Sequence, residues 1–287
     1  MRCAGAGLAD RMSPLVVALA LSAAVLHASW NAFLRAGADR FWTMTLMSVP
    51  GTLVGLALVA THPLPWPAAW PYIVASAIGQ TVYSLFLVAA YRHGQLGQVY
   101  PIVRGTVPLL VTLGSFLLTG QRPAATHMLG VLLIAGGIMS LAIRGRAAPR
   151  SALLLALMAG SVVAVYATLD SVGVRLAGSV GSYVGWVLLL FGLLIPACFV
   201  LRRGALRVDL RARLTRQVLA GGAVQMVGYG LVVTAFSLGA AGPVAALRET
   251  SVVFAMLIGW LFLHEAFSLR RLLACLVVAA GAVCIGS

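Results

Sequence analysis

The segment from Tyr91 to Ala142 recurs, with drift, from Phe236 to Ser287. At a fixed offset Gly94, Val99, Val107 and Gly114 fall on Gly239, Val244, Val252 and Gly259. After a one-residue slip Gln121, Leu129, Leu132 and Gly137 fall on Glu265, Leu273, Leu276 and Gly281. Self-similarity of this length marks a chain built from two copies of one unit. Each copy carries an odd number of apolar stretches, so in a membrane the second copy enters upside down relative to the first. That is the plan of a transporter that rocks around a central site.

A membrane is what the composition requires. With 61% hydrophobic and 9% charged residues, the chain lies far outside soluble domains, where about half the residues are apolar and about a quarter charged. Ten apolar stretches of about 20 residues, the length that crosses a bilayer, follow one another: Pro14 to Leu34, Trp42 to Ala60, Pro71 to Tyr91, Val99 to Thr119, Thr126 to Ile143, Ser151 to Asp170, Ser182 to Leu201, Gln217 to Leu238, Gly242 to Leu263, and Leu269 to Gly286. The fold predicted is an all-α integral membrane protein, ten transmembrane helices in two inverted five-helix repeats. Residues 1–13 form a leader, 14–143 the first repeat and 151–286 the second. The first stretch holds His27, Trp30 and Asn31, where a cleavable signal core is purely apolar. Met1 and Met12 both remain candidates for the start.

The net charge of +14 comes from arginine alone, because the chain has no lysine. Nucleic-acid binding would need these charges on one folded face, whereas they are scattered through the loops. Loops of odd number carry Arg35, Arg40, Arg92, Arg144, Arg146, Arg150, Arg202, Arg203, Arg207, Arg211, Arg213, Arg216, Arg270 and Arg271; even loops carry only Arg122 and Arg175. The odd loops are therefore predicted to be cytoplasmic and both termini external. The loop Thr61 to Trp70 has no formal charge, while its counterpart, Arg202 to Arg216, is the most basic segment of the chain. Inverted halves need this opposite bias. Cys3, Cys198, Cys275 and Cys284 have neither C-x-x-C nor metal-site spacing, so no metal or cofactor is expected.

A charge deep in a span costs about 2.5 to 3.5 kcal/mol on insertion scales and needs a cavity or a partner. Arg104, Arg248 and Glu249 are such residues, and in the repeat alignment Arg104 falls on Glu249. Counted from opposite surfaces at about 1.5 Å per residue, their backbones differ in depth by roughly 12 Å in a core about 30 Å thick. Either they form a gate-like ion pair or a substrate sits between them. A purely structural pair, or an Arg104 that reaches back to the near surface, is the plainer alternative. Two arginines against one carboxylate leave a positive surplus that suits a substrate carboxylate or phosphate.

Pro101 and Pro108 predict a kinked fourth helix, with Tyr100 to Thr106 lining a cavity. Polar and aromatic residues gather in the facing helices: His27, Trp30 and Asn31 in the first, Gln80 and Tyr83 in the third, Tyr166 and Asp170 in the sixth, Gln225 and Tyr229 in the eighth. One by one these read as helix-packing hydrogen bonds, and His27 as a satisfied buried histidine, although a histidine can carry protons. Together with Arg104 and Tyr100, the residues Trp30, Asn31, Gln80, Tyr83, Tyr166, Gln225 and Tyr229 are the candidate substrate-binding set. Glu249 with Arg248 is the candidate gate or proton site. Gly51-x-x-x-Gly55 and Gly181-x-x-x-Gly185 read as helix-packing motifs.

No H-E-x-x-H, G-x-S-x-G or G-K-[ST] occurs, so a zinc protease, a serine hydrolase and an ATP-driven pump lack their signatures. The pieces Y-R-x-G, Y-P-I-V-R-G-T-x-P-L and G-x-L-L-I-x-G-G between Tyr91 and Gly137, with A-L-R-E-T-S at Ala246 to Ser251 and F-L-H-E at Phe262 to Glu265, resemble the EamA-type carriers of the drug/metabolite transporter superfamily. The resemblance implies ten helices in two inverted repeats around a cavity and secondary transport across a bacterial inner membrane. It leaves the substrate open among amino acids, other metabolites, drugs and nucleotide- or lipid-linked sugars. The family's Gly-Glu pair after the fourth helix is Gly120-Gln121 here and His264-Glu265 in the second copy. The first-helix carboxylate that couples smaller relatives to protons has no counterpart between Pro14 and Leu34.

The function expected is thus non-enzymatic: a secondary transporter, an exporter of a small amino-acid-like metabolite, by alternating access. Its partners would be that small molecule, the lipid bilayer and a coupling proton, with no nucleic acid, in a monomer or homodimer. A lipid-linked sugar translocator and an intramembrane enzyme are the alternatives. Neither a nucleophile nor a metal cluster stands beside Arg104 in the sequence to support the enzyme.

Overall fold

The computed structural model describes residues 12–36, 39–93, 96–120, 123–141, 150–263 and 269–286, and every regular element among them is helical. In chain order these are α1 (Pro14–Ala36), α2 (Arg40–Thr61), α3 (Trp70–His93), α4 (Leu96–Thr119), α5 (Ala125–Ser140), α6 (Arg150–Leu176), α7 (Val180–Arg203), α8 (Arg213–Leu238), α9 (Ala241–Glu249), α10 (Ser251–Leu263) and α11 (Leu269–Gly286). A single 3-10 turn, Pro67–Ala69, leads into α3. Among the described residues, eight helices are long and apolar enough to cross a bilayer by themselves.

The two repeats meet helix against equivalent helix. α2 packs on α7, α4 on α9 and α5 on α11, while α3–α6 and α1–α8 are the two versions of one further contact with the repeats exchanged. Each self-pair runs antiparallel. Along α2 and α7, Phe41 stacks near Phe199, Gly55 meets Gly185, and His62 lies against Gly181. Along α5 and α11, Gly130 touches Gly281 and Gly137 touches Val278. Since a helix and its equivalent cross the bilayer in opposite directions, the halves are inverted, as the odd number of spans per copy demands.

Small residues make these crossings possible, because apolar helices gain little from the hydrophobic effect inside lipid and rely on close packing. A Cβ on Gly55 would stand 2.7 Å from the backbone nitrogen of Leu189 and 2.9 Å from the carbonyl oxygen of Gly185. The two G-x-x-x-G motifs read from the sequence therefore belong to one contact. At the end of α4, Gly120 adopts φ 67° and its N–H closes on the Phe116 carbonyl at 2.9 Å, a left-handed cap that glycine takes without strain. Its neighbour Gln121, and the equivalent His264-Glu265, lie outside the described residues.

Asp39 fastens the start of α2 to the end of α7. Its carboxylate accepts from the N–H groups of Phe41 (3.1 Å) and Trp42 (3.2 Å) as the N-cap, and pairs with Arg203. Partial burial pushes this carboxyl up, but the Trp42 N–H, the Arg203 guanidinium and the Phe41 N–H outweigh it and hold Asp39 below its ordinary value. Beside it the Trp42 indole N–H donates to the Arg207 carbonyl at 3.0 Å, a second tie between repeats.

Two boundaries differ from the sequence reading. The ninth stretch, expected as one span, is divided at Thr250. There the backbone stays right-handed but tightens: the Thr250 N–H and hydroxyl both turn to the Leu247 carbonyl, at 3.2 and 2.6 Å, and the Val253 N–H takes the Thr250 carbonyl at 2.8 Å. The threonine hydroxyl accompanies this i to i+3 step of the backbone, and mid-helix steps of this kind recur at hinges. The fourth helix, in contrast, runs as one element through Pro101 and Pro108. The sixth does not stop at Asp170 but continues to Leu176, where Arg175 donates to the Phe236 carbonyl (2.9 and 3.1 Å) and to that of Gly239.

Candidate functional site

Arg104 and Glu249 owe their meeting to the close approach of α4 and α9. A Cβ on Gly242 would stand against the Thr112 hydroxyl and 3.2 Å from the Thr112 Cα, so the two helices lie close there. Eight residues back along α4 and seven forward along α9, the antiparallel helices bring Arg104 opposite Glu249. The depth offset anticipated from the sequence is bridged: Arg104 Nη1 donates to Glu249 Oε2 at 3.1 Å and Oε1 at 3.3 Å. Arg248 Nη2 and Nε reach the same Oε1 at 2.9 and 3.2 Å. Arg104 is 2% exposed and Glu249 is wholly buried. One carboxylate thus sits between two guanidiniums, one from each repeat.

His27 on α1 extends this cluster. Its Nε2 contacts Arg104 Nη2, and its Nδ1 accepts from the Trp30 indole N–H at 3.2 Å, with the two rings edge to face at 4.9 Å. Both ring nitrogens are thus engaged, as in a satisfied buried histidine. His27 is a direct neighbour of the central arginine.

A cavity of about 70 Å³ opens beside the cluster. Arg104 and Arg248 lie on one wall with His27 and Trp30; Gln80, Tyr83 and Ser84 come from α3, Tyr166 from α6, Phe191 from α7, and Gln225 and Tyr229 from α8. The spacing of Gln80, Tyr83 and Ser84 places all three on one helix face. The Gln80 amide donates to Ser76 at 3.2 Å, and the Tyr83 and Tyr166 rings lie 6.2 Å apart. The volume holds about two or three waters, whereas metabolite pockets run to ~300 Å³ or more.

Of the residues singled out in the sequence, Trp30, Gln80, Tyr83, Arg104, Tyr166, Gln225, Tyr229 and Arg248 line this one cavity. Glu249 lies behind the wall, against the guanidiniums. Asn31 does not line it: its side-chain amide donates to the His27 carbonyl at 2.8 Å, a bond within its own helix. The side chain of Tyr100 lies outside the described residues. Met44 and Phe191 are lining residues that sequence reasoning missed. Both look like ordinary span residues, and only three-dimensional packing marks them.

A second polar centre sits behind Tyr229. Asp170, 1% exposed, accepts from the Tyr183 hydroxyl at 2.8 Å and from the Tyr229 hydroxyl at 3.2 Å. Because α6 continues past it, Asp170 lies about six residues, or ~9 Å, inside the helix end. Tyr183 carried no sequence signal, since a tyrosine near a span start reads as an interfacial belt residue.

Comparison with known proteins agrees with this architecture. Among curated proteins none matches. A solved crystal structure superposes with a TM-score of 0.75 at 21% identity, over 94% of this chain and 95% of the other, a likeness in fold. The EamA-like transporter family matches twice, at residues 14–143 and again at 150–287. With one match per repeat and almost the whole chain covered, this multi-pass membrane protein belongs to the EamA-like transporter family.

Proposed function

We propose that the protein is a secondary transporter that exports a small, amino-acid-like metabolite across the bacterial inner membrane by alternating access about this cavity. The observation that carries the reading is the Arg104–Glu249 pair, which joins the two inverted repeats at the cavity wall. A substrate carboxylate reaching Arg104 or Arg248 competes with Glu249 for the guanidiniums. Binding then loosens the contact between repeats, so occupancy and opening are linked. The aromatic wall of Trp30, Tyr83 and Tyr166 suits a compact organic body beside that carboxylate. Glu249, held on both sides, acts here as the gate.

The test is a host lacking its own exporters, expressing the chain and challenged with toxic amino-acid analogues and dipeptides. Resistance is expected from the native chain and is lost in Arg104→Ala although the variant inserts normally. Undiminished resistance in well-inserted Arg104→Ala would remove the central role of the guanidinium.

A further inference from the structure

We propose that Asp170, reached from the cavity through Tyr229, is the site that binds and releases a coupling proton. The inference rests on the transport reading for its use, but the proton site itself is defined by geometry. Among the described residues the membrane-spanning helices carry two carboxylates, Asp170 and Glu249. Glu249 is the shared acceptor of two guanidiniums, and its negative charge is engaged in the contact that closes the repeats.

Asp170 is buried differently. Its partners are neutral hydroxyls: Tyr183 from α7, Tyr229 from α8, and the Ser76 hydroxyl of α3 facing it. Among the described residues its hydrogen bonds come from these hydroxyls, and Arg248 acts on it through space. Desolvation without a bonded counter-cation penalises the charged form of a carboxyl group, and this is the setting in which a proton is held and surrendered. A hydroxyl both donates and accepts, so Tyr183 and Tyr229 can serve either form of Asp170 without moving. An arginine clamp could not do this.

The ionisable surroundings of Asp170 are limited. α4 brings Arg104, engaged with Glu249 and His27. α9 brings Arg248, which acts on Asp170 through space while bonded to Glu249, and Glu249 itself. α7 and α8 bring the two tyrosines, α3 brings Tyr72 and Tyr83, and the turn Pro67–Ala69 brings no ionisable side chain. On α6 itself Tyr166 is one turn away, and Arg175 is held by the carbonyls of Phe236 and Gly239. With Arg175 counted apart at the helix end, Arg104 and Arg248 against Glu249 and Asp170 sum to zero when Asp170 is ionised. They leave one positive charge when it is protonated. Tyr229 carries that change to the cavity, because its hydroxyl bonds Asp170 and its side chain lines the wall.

The experiment uses the purified full chain in detergent, with the proton as the probe: pH-difference infrared spectroscopy of the carbonyl stretch of a protonated carboxylic acid. The native chain is expected to show a protonated-acid band that is lost in Asp170→Asn and kept in Glu249→Gln. In Tyr229→Phe, which removes a donor to the ionised form, the band should persist to a more alkaline pH by up to about one unit. A band that survives Asp170→Asn, that vanishes in Glu249→Gln, or that never forms would overturn the proposal. If the band behaves as expected and no amino-acid analogue is exported, Asp170 stands as the proton site and the substrate reading fails.

Discussion

Glu249 shares two guanidiniums, and so the consequences of removing a charge here depend on which charge is removed. Arg104→Gln leaves Glu249 paired with Arg248. Glu249→Gln leaves two guanidiniums facing each other in the protein interior, and breaking a buried pair in this way costs about 3 to 5 kcal/mol. Thermal unfolding of the purified variants should place Glu249→Gln well below Arg104→Gln; the reverse order would show that charge balance does not govern the cluster. These three residues were legible in the sequence because charge inside an apolar span is costly and stands out. Asp170 was equally visible but sat at the end of its stretch, where a carboxylate is cheap. Its real depth followed only from the continuation of α6 to Leu176, and Tyr183, the nearer of its two hydroxyl donors, comes from the next helix. The partner of His27 was not legible at all: a sequence shows a histidine, and only the fold shows Arg104 beside it.

At the scale of helices the close crossing of α2 and α7 is the most demanding contact. Gly55→Val sets a branched side chain where even a Cβ would stand 2.7 Å from backbone. Overpacking of a rigid site costs about 1 to 3 kcal/mol, and here the obstacle is main chain that cannot rotate away. The expected result is a lowered melting temperature and a broadened size-exclusion profile of the detergent-solubilised protein, whereas Gly136→Ala on α5, a helical position with open space around it, should be far milder. Helix existence and most helix ends were readable from apolar runs, since a span has a required length. The division of the ninth stretch was not, because Thr250 works through a local hydroxyl-to-carbonyl bond and interrupts no hydrophobic pattern. In the repeat alignment Thr250 falls on Gly105, which α4 passes through without a break. The two copies thus share an ancestor and differ in backbone at the level of the central charges.

Over the whole molecule the ties at Asp39, Arg203, Trp42 and Arg207 lie on the face of the arginine-rich odd loops. The positive-inside rule predicts that this face is cytoplasmic. With the native cysteines replaced by serine, Leu64→Cys, strongly exposed in the α2–α3 loop, should react with an impermeant maleimide on intact cells. Val208→Cys, in the α7–α8 loop, should react only after permeabilisation. The opposite labelling would invert the orientation while leaving the fold untouched.

The antiparallel meeting of each helix with its own equivalent reaches beyond the present chain. A lone five-helix unit able to insert both ways up would find, in an oppositely oriented twin, the surfaces that α2 offers α7, α4 offers α9 and α5 offers α11. Fusing two such units in one gene frees them to diverge. One copy can then keep a carboxylate where the other keeps a guanidinium, a division of labour at Glu249 and Arg104 that identical twins could never make.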